Sequence, residues 1–358
     1  MNSCVVMEAH LHDVLLASLR RDMERHQRLA QRNLTSRDFL LKVNGVQLQS
    51  SVSARSRKGH WDRPDTTPLQ LSGSTVLHGE AWPSLVLTTL LSVLQELASD
   101  AQREPNAAAS QSAASSAVSV LRSVGGIEMR HCRLQARHLC TDDRGVTGSV
   151  SLADIVIFPQ LLWYSTAEAV LPPAYVCLAT LDLECNELGD AGLRLLCSGL
   201  LANLRGLRRL LLASNNITSA GLLFLADTAQ SQNGCELPPR LETIGLTNNP
   251  VGTHACGGID AHSSEDAWCD AFRTLASHLS PTLRRVHLNH AGLSTHEVFS
   301  VLHTLLECVA QHPEQCVFDM VYLRENQLAD KAEVLRLLRS KAEDLAWLDT
   351  FVQRHVSM

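Results

Sequence analysis

The sequence predicts an α/β solenoid in which short parallel strands alternate with helices. The first observation is a pattern, L-x-x-L-x-L-x-x-N-x-L, whose best copies start at Leu178, Leu207, Leu241 and Phe318. The second is that helix-forming stretches follow most copies. Because one such repeat cannot bury its apolar face alone, the stacking of neighbouring repeats is expected to supply the core.

This pattern resembles the leucine-rich repeat family. The 29-residue step from Leu178 to Leu207 is similar to the ribonuclease-inhibitor-like subclass. The resemblance covers Val124 to Leu338 and implies a horseshoe with a parallel concave sheet and outer helices. It also implies that a partner docks on the concave sheet, although a fold alone does not determine a function.

Weaker matches extend the repeats over residues 38–330. The nine predicted copies start at Asp38, Thr66, Val124, Leu152, Leu178, Leu207, Leu241, Leu283 and Phe318. Where the starts of two successive copies lie farther apart than one repeat length, the additional residues have the composition of a loop. Insertions are therefore predicted near residues 99–116, 231–239 and 252–264.

Amphipathic helices are predicted at both ends of the chain. Residues 1–37 are expected to form an N-terminal helical cap, with four apolar residues along one side: Leu11, Leu15, Leu19 and Met23. Residues 331–358 are expected to form a C-terminal helical cap. A solenoid needs its terminal layers covered. The alternative is that these helices bind a partner.

Composition argues against several function classes. A net charge of −6 over 358 residues gives no long-range attraction to nucleic acid or to anionic membranes. The eleven cysteines include no C-x-x-C pair, so free thiols in a reducing compartment are expected. Neither a secretory signal nor a membrane span is expected. A cytoplasmic location is predicted, with cytoskeletal association as an alternative.

The asparagines of the pattern are predicted to be structural. They are Asn186, Asn215, Asn249 and Asn326. Each lies where the chain leaves a strand, and its amide can satisfy backbone groups that the turn would otherwise bury unpaired. Cys132 occupies this place in the copy at Val124.

The binding site is expected on the outward face of the sheet. The residues on this face are those that lie between the leucines of the repeated pattern. The candidate residues are Glu128, Arg130, Val156, Phe158, Asp182, Glu184, Leu211, His287, Tyr322 and Arg324. An apolar spot at Val156 and Phe158, beside the carboxylates of Asp182 and Glu184, would be typical of a protein-binding site. The alternative is an irregular repeat whose strand is twisted inward.

Toward the C-terminal end the same face becomes polar and contains an aromatic residue. Its residues there are Arg285, His287, Asn289, His290, Tyr322 and Arg324. Such a surface fits an acidic partner, and the alternative is a face that is simply solvated.

Catalysis and metal binding are not expected. The segment containing His254, Cys256, His262 and Cys269 holds four possible zinc ligands, but their spacing is not that of a structural zinc site. The sequence contains no phosphate-binding G-x-x-x-x-G-K-[ST] loop, no G-x-S-x-G elbow and no H-E-x-x-H helix. No enzyme activity, cofactor, metal or small-molecule substrate is predicted.

These observations favour a non-enzymatic protein–protein interaction scaffold whose partner is another protein. A second hypothesis is a regulator or inhibitor of another enzyme, either GTPase-activating or ribonuclease-inhibitor-like. The mixed charge of the predicted face weakens the inhibitor analogy. A third hypothesis is a structural component of a cytoskeletal or axonemal assembly.

Overall fold

The computed structural model describes residues 3–32, 39–50, 81–103, 120–121, 124–139, 150–164, 178–230, 237–253, 261–311, 318–328, 330–342 and 344–358. The chain divides into two compact units, Met1–Leu178 and Ala179–Met358. Both contain helices and strands, and the strands paired within each unit are parallel. The predicted α/β class and the parallel strands are confirmed.

The first unit has two described strands. Its elements are α1 (Ser3–Gln31), β1 (Phe39–Asn44), α2 (Ala81–Arg103), β2 (Val124–Arg130), a 3-10 turn (Ala136–His138) and α3 (Leu152–Tyr164), with residues 45–50 also helical. Leu41 of β1 pairs with Ile127 of β2, and Val43 pairs with Met129. This is the register that the copies at Asp38 and Val124 predict. The copy at Thr66 lies outside the described residues.

Two long helices pack together in this unit. The four apolar residues predicted for one side of α1 are each 4% exposed or less. His12 and Arg20 of α1 reach Glu96 of α2 at 3.2 and 3.5 Å. By length and composition Ala81–Ser99 of α2 would pass as a membrane span, but 56% of this stretch is buried inside the structure. The same pattern is typical of a core helix.

The predicted strand at Leu152 is wrong, because this segment forms α3. Its buried residues are Leu152, Ile155, Val156 and Pro159, and that spacing is helical. Ser151 and Asp154 supply a start signal: Ser151 N–H donates to Asp154 Oδ2 at 2.8 Å, and Asp154 N–H donates to Ser151 Oγ at 3.4 Å. This reciprocal cap was present in the sequence and would have indicated a helix.

The second unit carries six strands that pair in chain order. Its strands are β3 (Thr180–Asp182), β4 (Arg209–Leu211), β5 (Thr243–Gly245), β6 (Arg285–His287), β7 (Met320–Tyr322) and β8 (Val356–Ser357). Its helices are α4 (Gly189–Leu195), which runs into turns at Leu196–Leu200 and Leu201–Asn203, α5 (Ser219–Gln230), α6 (Ala261–Leu279), α7 (Thr295–Gln311), α8 (Lys331–Lys341) and α9 (Leu345–His355).

The core of this unit is a ladder of aliphatic side chains across the strands. The stacked residues are Leu181, Leu210, Ile244, Val286 and Val321, all buried. Alternation along a strand then turns both neighbours of each ladder residue to the opposite face. The inward positions that the template predicts are therefore confirmed for these strands.

Strands β3 to β7 are each followed by a turn of the same conformation. The turn residue has a φ between 51° and 57° at Cys185, Ser214, Asn248, His290 and Glu325. None of these residues is glycine, so this left-handed conformation costs conformational energy at every turn. At four of these turns the asparagine that follows offsets that cost by satisfying the backbone. After His290 the position is Ala291, whose N–H donates to Asn326 Oδ1 at 3.0 Å.

The asparagine prediction is confirmed most fully at Asn249. Its side-chain oxygen accepts from the N–H groups of Asn215 at 2.8 Å and Ile217 at 3.0 Å. Its amide donates to the carbonyls of Leu212 at 2.8 Å and Leu246 at 3.1 Å. The remaining three asparagines also donate to strand carbonyls.

Cys132 takes this place in the first unit. Its thiol contacts the carbonyl of Arg130 at 3.3 Å and that of Val43 at 3.9 Å. Burial raises the pKa of this thiol to about 12. Cys132 is therefore a neutral structural donor rather than a nucleophile.

We expect Cys132 to resist alkylation in the folded protein. With iodoacetamide at pH 8, peptide mass spectrometry should find Cys132 unmodified after the partly exposed Cys185 has reacted. In denaturant both residues should react. Equal labelling of the two in the native state would contradict the buried, protonated thiol.

Side-chain caps start two helices of this unit. Ser294 N–H donates to Glu297 Oε2 at 2.7 Å and Glu297 N–H donates to Ser294 Oγ at 3.1 Å, which forms a capping box at the start of α7. Asp330 caps α8 by accepting from Ala332 N–H. Glu333, three residues later, forms an ion pair with Arg336.

The C-terminal region differs from the predicted helical cap. Residues 331–358 form two helices and then a strand, β8, which pairs with β7. The break follows α8, where Asp344 accepts from Trp347 N–H and starts α9.

The predicted insertions lie mostly outside the described residues. α2 continues to Arg103, and α6 starts at Ala261. Residues 104–116, 231–236 and 254–260 lie outside the described residues.

Candidate protein-binding face

The outward side chains of β4 to β7 form the candidate site. We call this set the arginine–aromatic face: Arg209, Leu211, Arg285, His287, Tyr322 and Arg324. The three arginines are exposed, and the other three residues are partly exposed. Arg209 and Leu211 lie two positions apart on β4, as do Arg285 and His287 on β6, so each pair shares one side of the sheet. Arg324 lies two positions after Tyr322, just beyond the end of β7.

At the centre of the face His287 and Tyr322 stack on each other. They are register partners on β6 and β7, and their ring centroids are 4.4 Å apart with an angle of 18° between the planes. Burial and the nearby charge of Arg285 lower the pKa of His287 below its usual value. The imidazole is therefore uncharged near neutral pH and acts as an aromatic surface.

The arginines surround this stack. Arg285 Nη2 lies 3.4 Å from Asp319 Oδ2, and Arg324 Nε donates to Ser357 Oγ at 2.8 Å. Arg209 lies on β4, two strands from Arg285, which is roughly 10 Å away. Guanidinium groups held in this way can form paired hydrogen bonds to carboxylates.

An apolar part of the face lies between Arg209 and the stack. A Cβ added to Gly245 would lie 3.0 Å from Leu211 Cδ2. Leu211 therefore leans over β5, and the missing side chain of Gly245 makes room for it. The face therefore combines aliphatic, aromatic and cationic groups.

Asp182 does not form the exposed carboxylate pair predicted with Glu184. Asp182 is 3% exposed, and its Oδ1 accepts from Glu184 N–H at 3.1 Å. Its role is to satisfy the backbone where β3 ends. Glu184 remains partly exposed.

Of the four candidate residues in the first unit, Glu128 and Arg130 lie on a strand as predicted, whereas Val156 and Phe158 do not. Val156 is 2% exposed and, like the partly exposed Phe158, lies on helix α3 instead of a strand. The predicted apolar spot on the sheet is therefore wrong. Glu128 and Arg130 do lie on β2, where Glu128 also contacts Lys42 at 3.1 Å.

A second cluster, missed by the sequence interpretation, joins α6 and α7. His296 Nδ1 lies 3.7 Å from Cys269 Sγ and 3.9 Å from Glu265 Oε1. These residue types suit a nucleophile with a base. Burial, with smaller contributions from nearby carboxylates, raises the pKa of Cys269 to about 11. The thiol is therefore protonated and is not an activated nucleophile.

The described residues contain no group of three His, Cys, Asp or Glu side chains that could hold a metal ion. Cys269 lies in helix α6. His254 and Cys256, which belong to the same sequence segment, are outside the described ranges.

Comparison with known proteins adds no family to this description. No protein-family model matches the chain, and no curated protein matches it.

Proposed function

We propose that this protein is a leucine-rich repeat solenoid of the ribonuclease-inhibitor-like subclass and acts as a non-enzymatic protein-interaction scaffold. Support for the class comes from the repeated turn after each strand and from the asparagine hydrogen bonds that recur with the sequence pattern. The free thiols among the described cysteines, including Cys132 and Cys269, support a reducing compartment such as the cytoplasm.

The partner is another protein that presents acidic groups to the arginine–aromatic face. The observation that carries this proposal is the His287–Tyr322 stack flanked by Arg285 and Arg324. Tyrosine and arginine are the residue types that most often dominate the energetics of protein interfaces. Tyr322 and the uncharged His287 ring offer apolar area, and the arginines offer charge-assisted hydrogen bonds to carboxylates.

The site also supports binding better than catalysis. His287 is the titratable ring at its centre, and its neighbours on the face are arginines and apolar groups. Its lowered pKa leaves it a weak base. The six residues of the face include no serine, threonine or cysteine that could act as a nucleophile beside that base.

We expect the double substitution Arg285→Ala with Tyr322→Ala to reduce partner binding at least about tenfold, because an interface residue of this kind commonly contributes more than 1 kcal/mol. Tagged full-length chains would be used to capture proteins, which are then quantified by mass spectrometry. Direct titration of each purified candidate follows.

The matched control is Arg273→Ala with Trp347→Ala, which removes an exposed arginine and an exposed tryptophan from helices α6 and α9. It should retain binding. Partners lost only from the face variant should be acidic, and their affinity should fall as salt rises. Full-strength binding by a folded face variant would exclude this face as the site.

A further inference from the structure

Helix α1 presents a row of arginines to solvent. Residues at i, i+4, i+7 and i+11 of a helix fall on one side of it, within an arc of about 60°. Arginines occupy all four of these positions, and each is exposed: Arg21, Arg25, Arg28 and Arg32. Arg32 directly follows the helix, and its N–H donates to Leu29 O at 3.1 Å, which continues the turn. We call these four residues the arginine row.

The guanidinium groups of the row have no carboxylate partner among the described residues. Two of them are held along the helix by its own backbone. Arg21 Nε donates to the carbonyl of Ala17 at 3.2 Å. Arg28 Nε donates to that of Glu24 at 3.4 Å. These bonds use only Nε, so the Nη groups of both side chains remain for an anion.

The stability of α1 does not account for the row. Arg28 lies in the last turn of α1, where a cation interacts favourably with the helix dipole. That effect is confined to the last turn, so it does not extend to Arg21 and Arg25. Packing does not require the row either, because Leu19 and Met23 are buried on the opposite side of the helix.

We propose that the arginine row is a second protein-binding surface and that its partner is an α-helix of another protein with an acidic row. All α-helices have the same rise of about 1.5 Å per residue, so carboxylates at i, i+4, i+7 and i+11 of the partner meet all four arginines. This spacing reads the same in both directions, so parallel and antiparallel partners both fit. Each guanidinium can form two hydrogen bonds to a carboxylate.

The charges beside the row favour a narrow partner. Asp22 and Glu24 lie on either side of it, and Glu24 is exposed. The broad surface of a nucleic acid duplex or of an anionic membrane brings negative charge over these carboxylates as well. One acidic row of a helix contacts only the arginines between them. The apolar side of α1 is also buried, so this helix cannot insert it into a lipid layer.

The acidic row does not come from a second copy of this chain. Nowhere in the 358 residues do acidic residues occur together at i, i+4 and i+7. The matching helix therefore belongs to a different protein.

The test titrates the full chain with a short peptide that carries four glutamates at the spacing of the row. The peptide is stapled on its opposite side, so that it is helical before it binds. A second peptide has the same composition, with its glutamates distributed around the helix. At low ionic strength we expect the row peptide to bind more tightly in fluorescence anisotropy, and its affinity to fall as salt rises.

Substitution of the row identifies the surface. Arg21→Gln with Arg25→Gln and Arg28→Gln keeps good helix formers at exposed positions. It should weaken binding of the row peptide about tenfold, because three exposed ion pairs each contribute roughly a factor of two. The matched control is Arg273→Gln with Arg336→Gln and Arg339→Gln, which removes three exposed arginines from α6 and α8. It should bind as the full chain does.

If the triple variant loses its helical circular dichroism, Arg25→Glu decides the outcome, because a carboxylate in the middle of the row repels the peptide. Three results would each overturn the proposal: no binding of the row peptide up to about 1 mM, equal affinities for the two peptides, or full-strength binding by a folded row variant. The choice of a helical partner fails if phosphatidylserine vesicles or duplex DNA bind more tightly than the row peptide and are lost from the row variant.

The inference does not rest on the arginine–aromatic face. Arg285→Ala with Tyr322→Ala leaves the arginine row unchanged and should bind the row peptide as the full chain does. Loss of the peptide from this variant, with binding retained by the row variant, would place the peptide on the arginine–aromatic face and exclude the row.

Discussion

Asn249→Ala should lower the free energy of unfolding by about 3 kcal/mol, because it leaves at least two buried N–H groups unpaired. Asn249 is completely buried. Its side-chain oxygen serves Asn215 and Ile217 of the preceding repeat, and its amide joins the carbonyls of Leu212 and Leu246. The denaturation midpoint in guanidinium chloride, with its slope, measures the loss.

Two further variants separate this role from a general effect of the substitution. Asn249→Asp keeps the accepting oxygen but turns a second oxygen toward two carbonyls, so it should destabilise at least as much as alanine. Asn203→Ala removes an amide with one exposed bond, to Gly199 O, and should cost less than about 1 kcal/mol. Similar losses at Asn203 and Asn249 would contradict the assigned role.

The parts of the fold that could be predicted are those with strict spacing and little freedom. Along each repeat the leucines must alternate inward, and one side chain must serve the turn that follows. Leu210, Leu212 and Asn215 meet those requirements together. Cys132 was recognised as an equivalent of asparagine because it occupies the same place in its copy, and in the structure its thiol contacts the carbonyls of Val43 and Arg130.

The segment at Leu152 shows where the template fails. Its first spacing, three residues, is common to a strand repeat and to a helix, so Leu152 and Ile155 fit both. What decided the structure was the reciprocal cap between Ser151 and Asp154. A cap adds backbone hydrogen bonds that a strand would not have, and the template does not consider it.

The site was predicted in part, for a related reason. His287, Tyr322 and Arg324 were found because strand alternation alone places them outward. The repeat spacing already places His287 and Tyr322 in register on neighbouring strands, but their stacking also depends on side-chain rotamers, which the pattern does not supply. Arg209 was left out of the candidates although its position also faces outward.

The burial of Asp182 could not be predicted from its position. Whether an outward strand residue is exposed depends on its cross-strand neighbours as well as on its own position. Asp182 pairs in register with Leu211, and its carboxylate turns back to Glu184 N–H. A local hydrogen bond of this kind competes with solvent and depends on the geometry at the end of the strand.

Trp268→Ala should have the largest effect of the single substitutions considered, with a loss of about 4 kcal/mol in the free energy of unfolding. Trp268 is completely buried on α6. Its ring stacks on Phe272 with centroids 5.8 Å apart, and its Nε1–H donates to Val251 O at 2.7 Å. Removing the ring leaves a large cavity between α6 and the turn that follows β5.

The contributions of packing and hydrogen bonding at Trp268 can be separated. Trp268→Phe keeps most of the ring but leaves the Val251 carbonyl unpaired, so it should lose about 1–2 kcal/mol. Trp347→Ala removes a tryptophan that is 37% exposed and contacts Phe351, and it should lose less than about 1 kcal/mol. Equal losses at Trp268 and Trp347 in guanidinium titrations would contradict a role of Trp268 in holding α6 against the sheet.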